Sequence, residues 1–133
     1  MPENSYISLS KLRLEIAEER LSTARFLLGS NDYKSVANRS YYAVFSAMRA
    51  VLALDKFDSK KHSGVITEFR KRYIKTGILD SELSYIIDSL VEVRQGSDYN
   101  DFYVISKDEV VSQIEKAQFF IDAVKEYLSS QYQ

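Results

Sequence analysis

Apolar residues recur at alternating steps of three and four along most of this chain, which places them on one side of successive α-helices. Two long stripes show the pattern most clearly, one near each end of the sequence. The first consists of Leu14, Ala17, Leu21, Ala24 and Leu28. The other consists of Val110, Ile114, Ala117, Ile121, Val124 and Leu128. The pattern therefore predicts an all-α protein.

Turn and capping residues divide the chain into five predicted helices. Gly29 offers a left-handed end to the first helix, and Asn31 or Asp32 can cap the second, which runs over residues 33–54. A third, shorter helix starts after residues 58–59 and stops at Gly77.

The fourth predicted helix begins at residues 80–81, and we expect Gly96 to loosen or end it. Ser106 and Glu109 have the spacing of a capping box and start the fifth helix, while residues 129–133 are expected to fray. Short connections favour antiparallel neighbours, so the prediction is one domain over residues 1–133, an up-and-down four-helix bundle with an additional short helix.

The composition of the chain indicates the cellular compartment in which the protein is expected. The chain has 133 residues, no cysteine and no apolar run of the roughly 18 residues that a membrane span needs. We therefore expect a soluble, cytoplasmic protein without disulfides and without a membrane association.

The formal net charge of −1 hides an uneven distribution. Residues 56–75 contain seven Lys and Arg against two acidic residues, a balance of +5, whereas residues 78–133 contain four against eleven, a balance of −7. The basic segment could attract a phosphate-rich ligand such as RNA or a nucleotide, or it could simply be a solvated surface.

The second helix has unusually little polar surface. One apolar side and one small-residue side together take up most of its circumference. The apolar side consists of Ala37, Tyr41, Val44, Met48 and Leu52. The small-residue side consists of Ser40, Ala43, Ala47 and Ala50. The third side carries Asn38, Arg39, Tyr42, Ser46 and Arg49, and it is either a solvent edge or the wall of a polar cleft or dimer interface.

An arginine continues the buried stripe of the fourth helix. Leu83, Ile87 and Leu90 lead at helical spacing to Arg94, and Asp98 follows one turn later. Because an unpaired charge is costly to bury, Arg94 needs a partner. Two interpretations remain open: a structural ion pair with Asp98, or an anion site in which Arg94 binds phosphate and Asp98 or Tyr99 orients it.

His62 is the sole histidine in the sequence and belongs to the inward stripe of the third helix. One histidine cannot build a histidine-based metal cluster, and the chain has no paired-carboxylate pattern or glycine-rich phosphate loop. No metal or cofactor is therefore expected. A hydrogen-bonded structural role is favoured over catalysis for His62.

Several segments together resemble the HEPN domain family, and in particular its small stand-alone prokaryotic members. They are DYKSVANRSYYAVFSAMRAVL, KHSGVITEFRKRYIKTGIL, RQGSDY and AQFFIDAVKEYL, and the resemblance covers residues 9–128. The resemblance implies a four-helix bundle with a short extra helix, a homodimer formed through the second and fourth long helices, and a minimal nucleotidyltransferase as partner in a toxin–antitoxin pair.

Many members of the family are metal-independent ribonucleases, in which an arginine is followed after four to six residues by a histidine. Arg94 matches the arginine, but Tyr99 and Asp101 stand at the two ends of the histidine window and no histidine lies between them. Neither residue is a general base at neutral pH, and His62 could act only if the third helix placed it beside Arg94.

Three functions are consistent with these observations. The first is a homodimeric domain that works with a nucleotidyltransferase and binds RNA or a nucleotide in a cleft. That cleft is lined by Asn38, Arg39, Tyr42, Arg94, Asp98 and Tyr99, and Arg49 is a further ligand-binding candidate. The second is a ribonuclease toxin that uses Arg94 with Asp98, Tyr99 or His62. The third is a structural, dimeric helical bundle.

The resemblance also draws attention to tyrosines after Arg94. Some family members are adenylylated on a tyrosine in this segment, so Tyr99 and Tyr103 are candidate modification sites.

Overall fold

The computed structural model describes residues 3–133 of the chain, with side chains from residue 4. Within that range the chain is all-α, as predicted, and contains no strand. The elements are α1 Glu3–Leu28, α2 Tyr33–Leu54, α3 His62–Phe69, a π-helical turn Arg70–Ile74, α4 Glu82–Tyr99 and α5 Lys107–Gln131. The four long helices form the bundle and α3 is the predicted additional short helix. None of these helices combines the length and the apolar character that a bilayer crossing requires.

Helix α2 lies at the centre of the bundle and packs against each of the other four helices. Both of its predicted covered sides are buried, and Ala43, Ala47, Met48 and Ala50 are fully inaccessible to solvent. Alanines allow a neighbouring helix to approach closely, and α1 packs against α2 with the Ser10 hydroxyl hydrogen-bonded to the Ala50 carbonyl. Burial on two sides leaves only the polar side of α2 for contact with a ligand.

Large side chains from α3 and α5 fill the core on the far side of α2. The rings of Phe69 and Phe120 are both fully buried, with centroids 5.6 Å apart. Burying a phenylalanine contributes about 1.5–3 kcal/mol. Packing of this kind fixes α3 against the bundle, and with it the residues at the start of α3.

The prediction that Gly29 ends α1 in the left-handed conformation is wrong. Asn31 has the positive φ, 58°, and asparagine adopts this conformation more readily than most residues. Asp32 then caps α2, since its carboxylate accepts a hydrogen bond of 3.3 Å from the Ser35 amide.

Of the two predicted effects of Gly96, ending the helix is wrong, since α4 continues to Tyr99. Instead, the missing side chain of Gly96 leaves room for the ring of Tyr103, because a Cβ at this position would overlap that ring. Residues 100–106 then lead irregularly to α5, which begins with the predicted capping box of Ser106 and Glu109.

The predicted fraying of residues 129–133 is also wrong for most of that segment. Helix α5 extends to Gln131, and the Tyr132 hydroxyl lies 2.7 Å from the buried Ser10 hydroxyl of α1. Ser10 in turn donates to the Ala50 carbonyl of α2 over 2.6 Å. A long-range hydrogen-bond chain therefore holds the end of α5, which its local sequence did not reveal.

Candidate functional site

Arg94 reaches the polar side of α2 because α4 is anchored by its apolar stripe. Leu83, Ile87 and Leu90 are buried, and the same helix face continues onto Arg94, whose side chain is only 15% exposed. The guanidinium is thus held within the bundle surface instead of extending into water, and its charge must be compensated locally.

One carboxylate and three aromatic rings surround the Arg94 guanidinium. Its Nε lies 3.2 Å from Asp98 Oδ2, and Nη2 donates to the Tyr42 hydroxyl over 3.2 Å. The guanidinium carbon lies 4.8, 5.3 and 5.8 Å from the ring centroids of Tyr41, Tyr42 and Tyr99. Among the described residues Nη1 forms no hydrogen bond, and the buried Nε lies near Asp98 without meeting hydrogen-bond geometry, so donor capacity remains for a ligand.

Two further predicted residues join this group. Asn38 Nδ2 donates to Asp98 Oδ2 over 3.4 Å, and Arg39 Nη1 donates to Asn38 Oδ1 over 3.1 Å. Asn38, Arg39, Tyr42, Arg94 and Asp98 therefore form one connected polar group between α2 and α4, which we call the Arg94 cluster. It carries two guanidinium groups and one carboxylate.

His62, the first residue of α3, lies beside this cluster. Its Nδ1 is 2.9 Å from the Tyr41 hydroxyl, and its ring stacks on Phe45 at 4.1 Å and meets the Tyr42 ring edge-on at 5.7 Å. Burial, followed by the positive charges of Arg94 and Arg49, lowers the pKa of His62 below its ordinary value. The imidazole is therefore neutral at neutral pH, the form that can accept a proton.

Tyr41 was not predicted as a site residue, because its spacing places it on the apolar side of α2. Its ring is buried, yet its hydroxyl contacts His62 and its face lies under Arg94. Burial is the main cause that raises the pKa of Tyr41 to about 12, so the hydroxyl keeps its proton. Periodicity gave no signal for this role, since it reports which side of a helix a residue occupies and not what its polar tip contacts.

Arg49 does not join the Arg94 cluster, although it lies on the same side of α2. It donates to Asp58 over 3.0 Å, and Asp58 also accepts from Arg13 of α1 over 3.1 Å. Burial opposes ionisation of Asp58, but hydrogen bonds from Arg49 and the Ser59 amide, with the charges of both arginines, lower its pKa overall. Arg13 and Asp58 are residues that the sequence did not single out.

An open groove of about 570 Å³ lies next to this ion pair. It is lined by Phe45, Arg49, Asp58, Ser59, Lys60 and His62. His62 therefore stands between two positively charged sites, with the Arg94 cluster on one side and this groove, which we call the Arg49 groove, on the other.

The two candidate tyrosines differ in access. Tyr99 is 75% exposed at the end of α4, whereas Tyr103 is partly buried and packs against Gly96. Phe102 and Val104 are also strongly exposed, at 94% and 86%. The segment after Arg94 thus presents exposed apolar and aromatic side chains. Within residues 3–133 no group of three or more His, Cys, Asp or Glu side chains is arranged to hold a metal ion.

Comparison with known proteins agrees with this architecture. The family model of the HEPN domain matches residues 10–127. "Putative toxin MJ0142" of Methanocaldococcus jannaschii is 37% identical over 122 residues, which cover 92% of this chain and 82% of that protein.

Two further relatives extend the similarity. "Putative toxin MJ0605" of the same organism is 33% identical over 115 residues, covering 86% of this chain and 85% of that protein. A "UPF0332 protein" of Thermotoga maritima is 33% identical over 112 residues, covering 84% of this chain and 85% of that protein.

Proposed function

This chain belongs to the HEPN domain family, and we propose that it binds RNA or a nucleotide at the Arg94 cluster as the partner of a minimal nucleotidyltransferase in a toxin–antitoxin-type system. The names of two relatives, which call them putative toxins, support this setting.

One observation carries the proposal: a largely buried guanidinium that keeps an unused donor. Arg94 has one carboxylate, three rings and one hydroxyl around it, yet Nη1 has no partner among the described residues. A guanidinium binds phosphate oxygens through paired N–H donors, and Arg39 adds a second positive charge. A purely structural ion pair needs neither the free donor nor the second arginine.

The position of His62 favours ribonuclease activity as a second candidate function. In that reaction His62 Nε2 accepts the proton of a ribose 2′-hydroxyl as its oxygen attacks the adjacent phosphorus. Arg94 stabilises the charge that develops on the phosphate. The bond from phosphorus to the 5′-oxygen breaks, a 2′,3′-cyclic phosphate forms, and the leaving 5′-oxygen takes a proton from solvent water. This role requires the tautomer in which Nδ1–H donates to Tyr41, which leaves the Nε2 lone pair free.

A binding and cleavage experiment separates these functions. The purified protein is incubated with total RNA in the presence of EDTA, and RNA binding is measured separately by gel shift at low salt. Binding that depends on Arg94, without cleavage, supports the binding domain. Cleavage lost in both Arg94→Ala and His62→Gln supports the ribonuclease.

Two results would count against these proposals. Cleavage that survives Arg94→Ala would remove this cluster from the chemistry. Failure to bind any RNA or nucleotide at low salt would leave only the structural, dimeric bundle.

We also infer a homodimer whose interface lies near the site. The exposed side chains of Phe102 and Val104 support it, because exposed apolar surface is commonly covered by another chain. Sedimentation equilibrium tests this, and a monomer at micromolar concentration would contradict it. Co-purification with a nucleotidyltransferase encoded beside this gene tests the proposed partner.

A further inference from the structure

The Arg49 groove has an excess of positive charge that its internal contacts do not neutralise. Arg49 and Arg13 share the single carboxylate of Asp58. Lys60 lies on the groove wall, is exposed, and has no carboxylate within ion-pair distance in residues 3–133. Of the residues that line the groove, Arg49 and Lys60 are cationic and Asp58 is anionic, and Asp58 is shared with Arg13. Positive charge is therefore in excess, which favours an anionic ligand.

The groove and the Arg94 cluster are two separate positions along one helix. Tyr42, which binds Arg94, and Arg49 are seven residues apart on α2, about 10 Å along the helix axis. His62 contacts Tyr42 and also lines the groove, so it lies between the two positions. The two arginines pair with different carboxylates, Arg94 with Asp98 and Arg49 with Asp58, so they form two separate positions for phosphate groups.

We propose that the ligand is a single strand of RNA that lies along the polar side of α2, with one phosphate at Arg94 and another phosphate of the same strand at Arg49 and Lys60. This inference rests on the proposed function, because it takes the Arg94 cluster as the first phosphate position. The inference requires an oligonucleotide as ligand and not a single nucleotide. A nucleoside monophosphate carries its charge at one end only, so it cannot occupy both phosphate positions.

Two features favour a single strand over a duplex. The phosphodiester between the two positions must approach the His62 ring, and an unpaired strand has the flexibility to present it. The exposed ring of Tyr99 lies 5.8 Å from the Arg94 guanidinium and offers a surface on which an unpaired base can stack.

Fluorescence anisotropy with a labelled 2′-O-methyl oligouridylate tests the inference, because this probe lacks the 2′-hydroxyl and is not cleaved. The variants are Arg49→Gln, Lys60→Gln and Arg94→Gln. Arg70→Gln is the matched control, since the side chains of Arg70 and Arg49 are both 34% exposed and both form an ion pair with an aspartate. Binding of uridine monophosphate is measured in parallel by its competition with the probe.

We expect Arg49→Gln and Lys60→Gln each to weaken oligonucleotide binding roughly fivefold and to reduce the slope of log affinity against log salt by about 0.7. Competition by the monophosphate should be unchanged in these two variants, because one phosphate at Arg94 does not reach the groove. Arg94→Gln should weaken both ligands, and Arg70→Gln neither.

The outcomes distinguish this inference from the function on which it rests. If Arg94→Gln weakens oligonucleotide binding while Arg49→Gln and Lys60→Gln leave it unchanged, the groove is not a phosphate site and only the inference fails. If Arg94→Gln also has no effect, the proposed function fails with it. Lys60 forms no ion pair with any residue that the structure describes, so its variant keeps the test decisive even if replacing Arg49 disturbs the fold.

Discussion

The Tyr41 hydroxyl and Nδ1 of His62 lie 2.9 Å apart and join the middle of α2 to the first residue of α3. The same tyrosine lies under the Arg94 guanidinium, with 4.8 Å between the guanidinium carbon and the ring centroid. Tyr41 therefore holds the imidazole at a fixed position relative to the arginine. Because Nδ1 is engaged in this bond, Nε2 is the ring nitrogen available to a ligand.

The environment of His62 predicts a pH dependence of stability. Its pKa is lowered in the folded protein by burial and by Arg94 and Arg49, so the unfolded chain binds a proton more readily than the folded one. The free energy of unfolding should therefore fall as pH drops below about 6.5, the ordinary histidine value, towards the lower folded pKa. Urea denaturation measured across this range provides the test.

His62→Gln is the control for this pH dependence, because it removes the titrating group while keeping a polar side chain. The variant should lose less stability between pH 7 and pH 5 than the unsubstituted protein does. Equal slopes in the two proteins would show that other groups, and not His62, cause the dependence.

Arg94 and Asp98 should be energetically coupled. Arg94→Ala removes the cation and leaves the Asp98 carboxylate with Asn38 as its remaining side-chain partner. The pair is only partly buried, so we expect a loss of about 2 kcal/mol, below the range for a fully buried pair. In a double-mutant cycle with Asp98→Ala the coupling should be about 1 kcal/mol. Additive losses would mean that the two charges do not stabilise each other.

Replacing Gly96 by alanine should destabilise the protein, although alanine is the better helix former. A Cβ at Gly96 would overlap the Tyr103 ring, and overpacking of this kind costs about 1–3 kcal/mol, more than the roughly 1 kcal/mol gained in helix propensity. Thermal unfolding of Gly96→Ala, with and without Tyr103→Ala, measures the effect.

Two comparisons make the Gly96 prediction specific. In protein that already carries Tyr103→Ala, a Cβ at position 96 no longer overlaps a ring. Gly96→Ala should therefore raise the free energy of unfolding in that background. Gly29→Ala is the matched control, since a Cβ there meets only the Phe26 carbonyl oxygen at 3.5 Å, an ordinary contact. A stabilised Gly96→Ala single variant would show that Tyr103 moves away without cost.

Exposure predicts which tyrosine a nucleotidyltransferase would modify. Tyr99 is 75% exposed, whereas Tyr103 packs against Gly96. In adenylylation the tyrosine oxygen attacks the α-phosphorus of ATP and pyrophosphate leaves. After incubation with the partner enzyme and ATP, mass spectrometry should locate the added AMP group on Tyr99. Modification that persists in Tyr99→Phe, or that is found on Tyr103, would overturn this assignment.

Much of the fold was predictable, because it depends on local periodicity and on capping chemistry. The stripes of α1 and α5, the two covered sides of α2 and the Ser106–Glu109 capping box follow from spacing alone. The errors at Gly29, Gly96 and the end of α5 share one cause. Each of these positions is decided by a backbone conformation or a distant side chain that a local pattern does not contain.

From its sequence, the chain is a helical bundle of the HEPN family in which Arg94 ends a buried stripe and therefore needs partners. Which residues partner Arg94 depends on how the helices pack in three dimensions. That packing places Arg94 against Tyr42 and Asp98, brings His62 to Tyr41, and directs Arg49 to Asp58. The physical reason is that burial follows from positions along one helix, whereas hydrogen bonds between helices depend on how the helices pack.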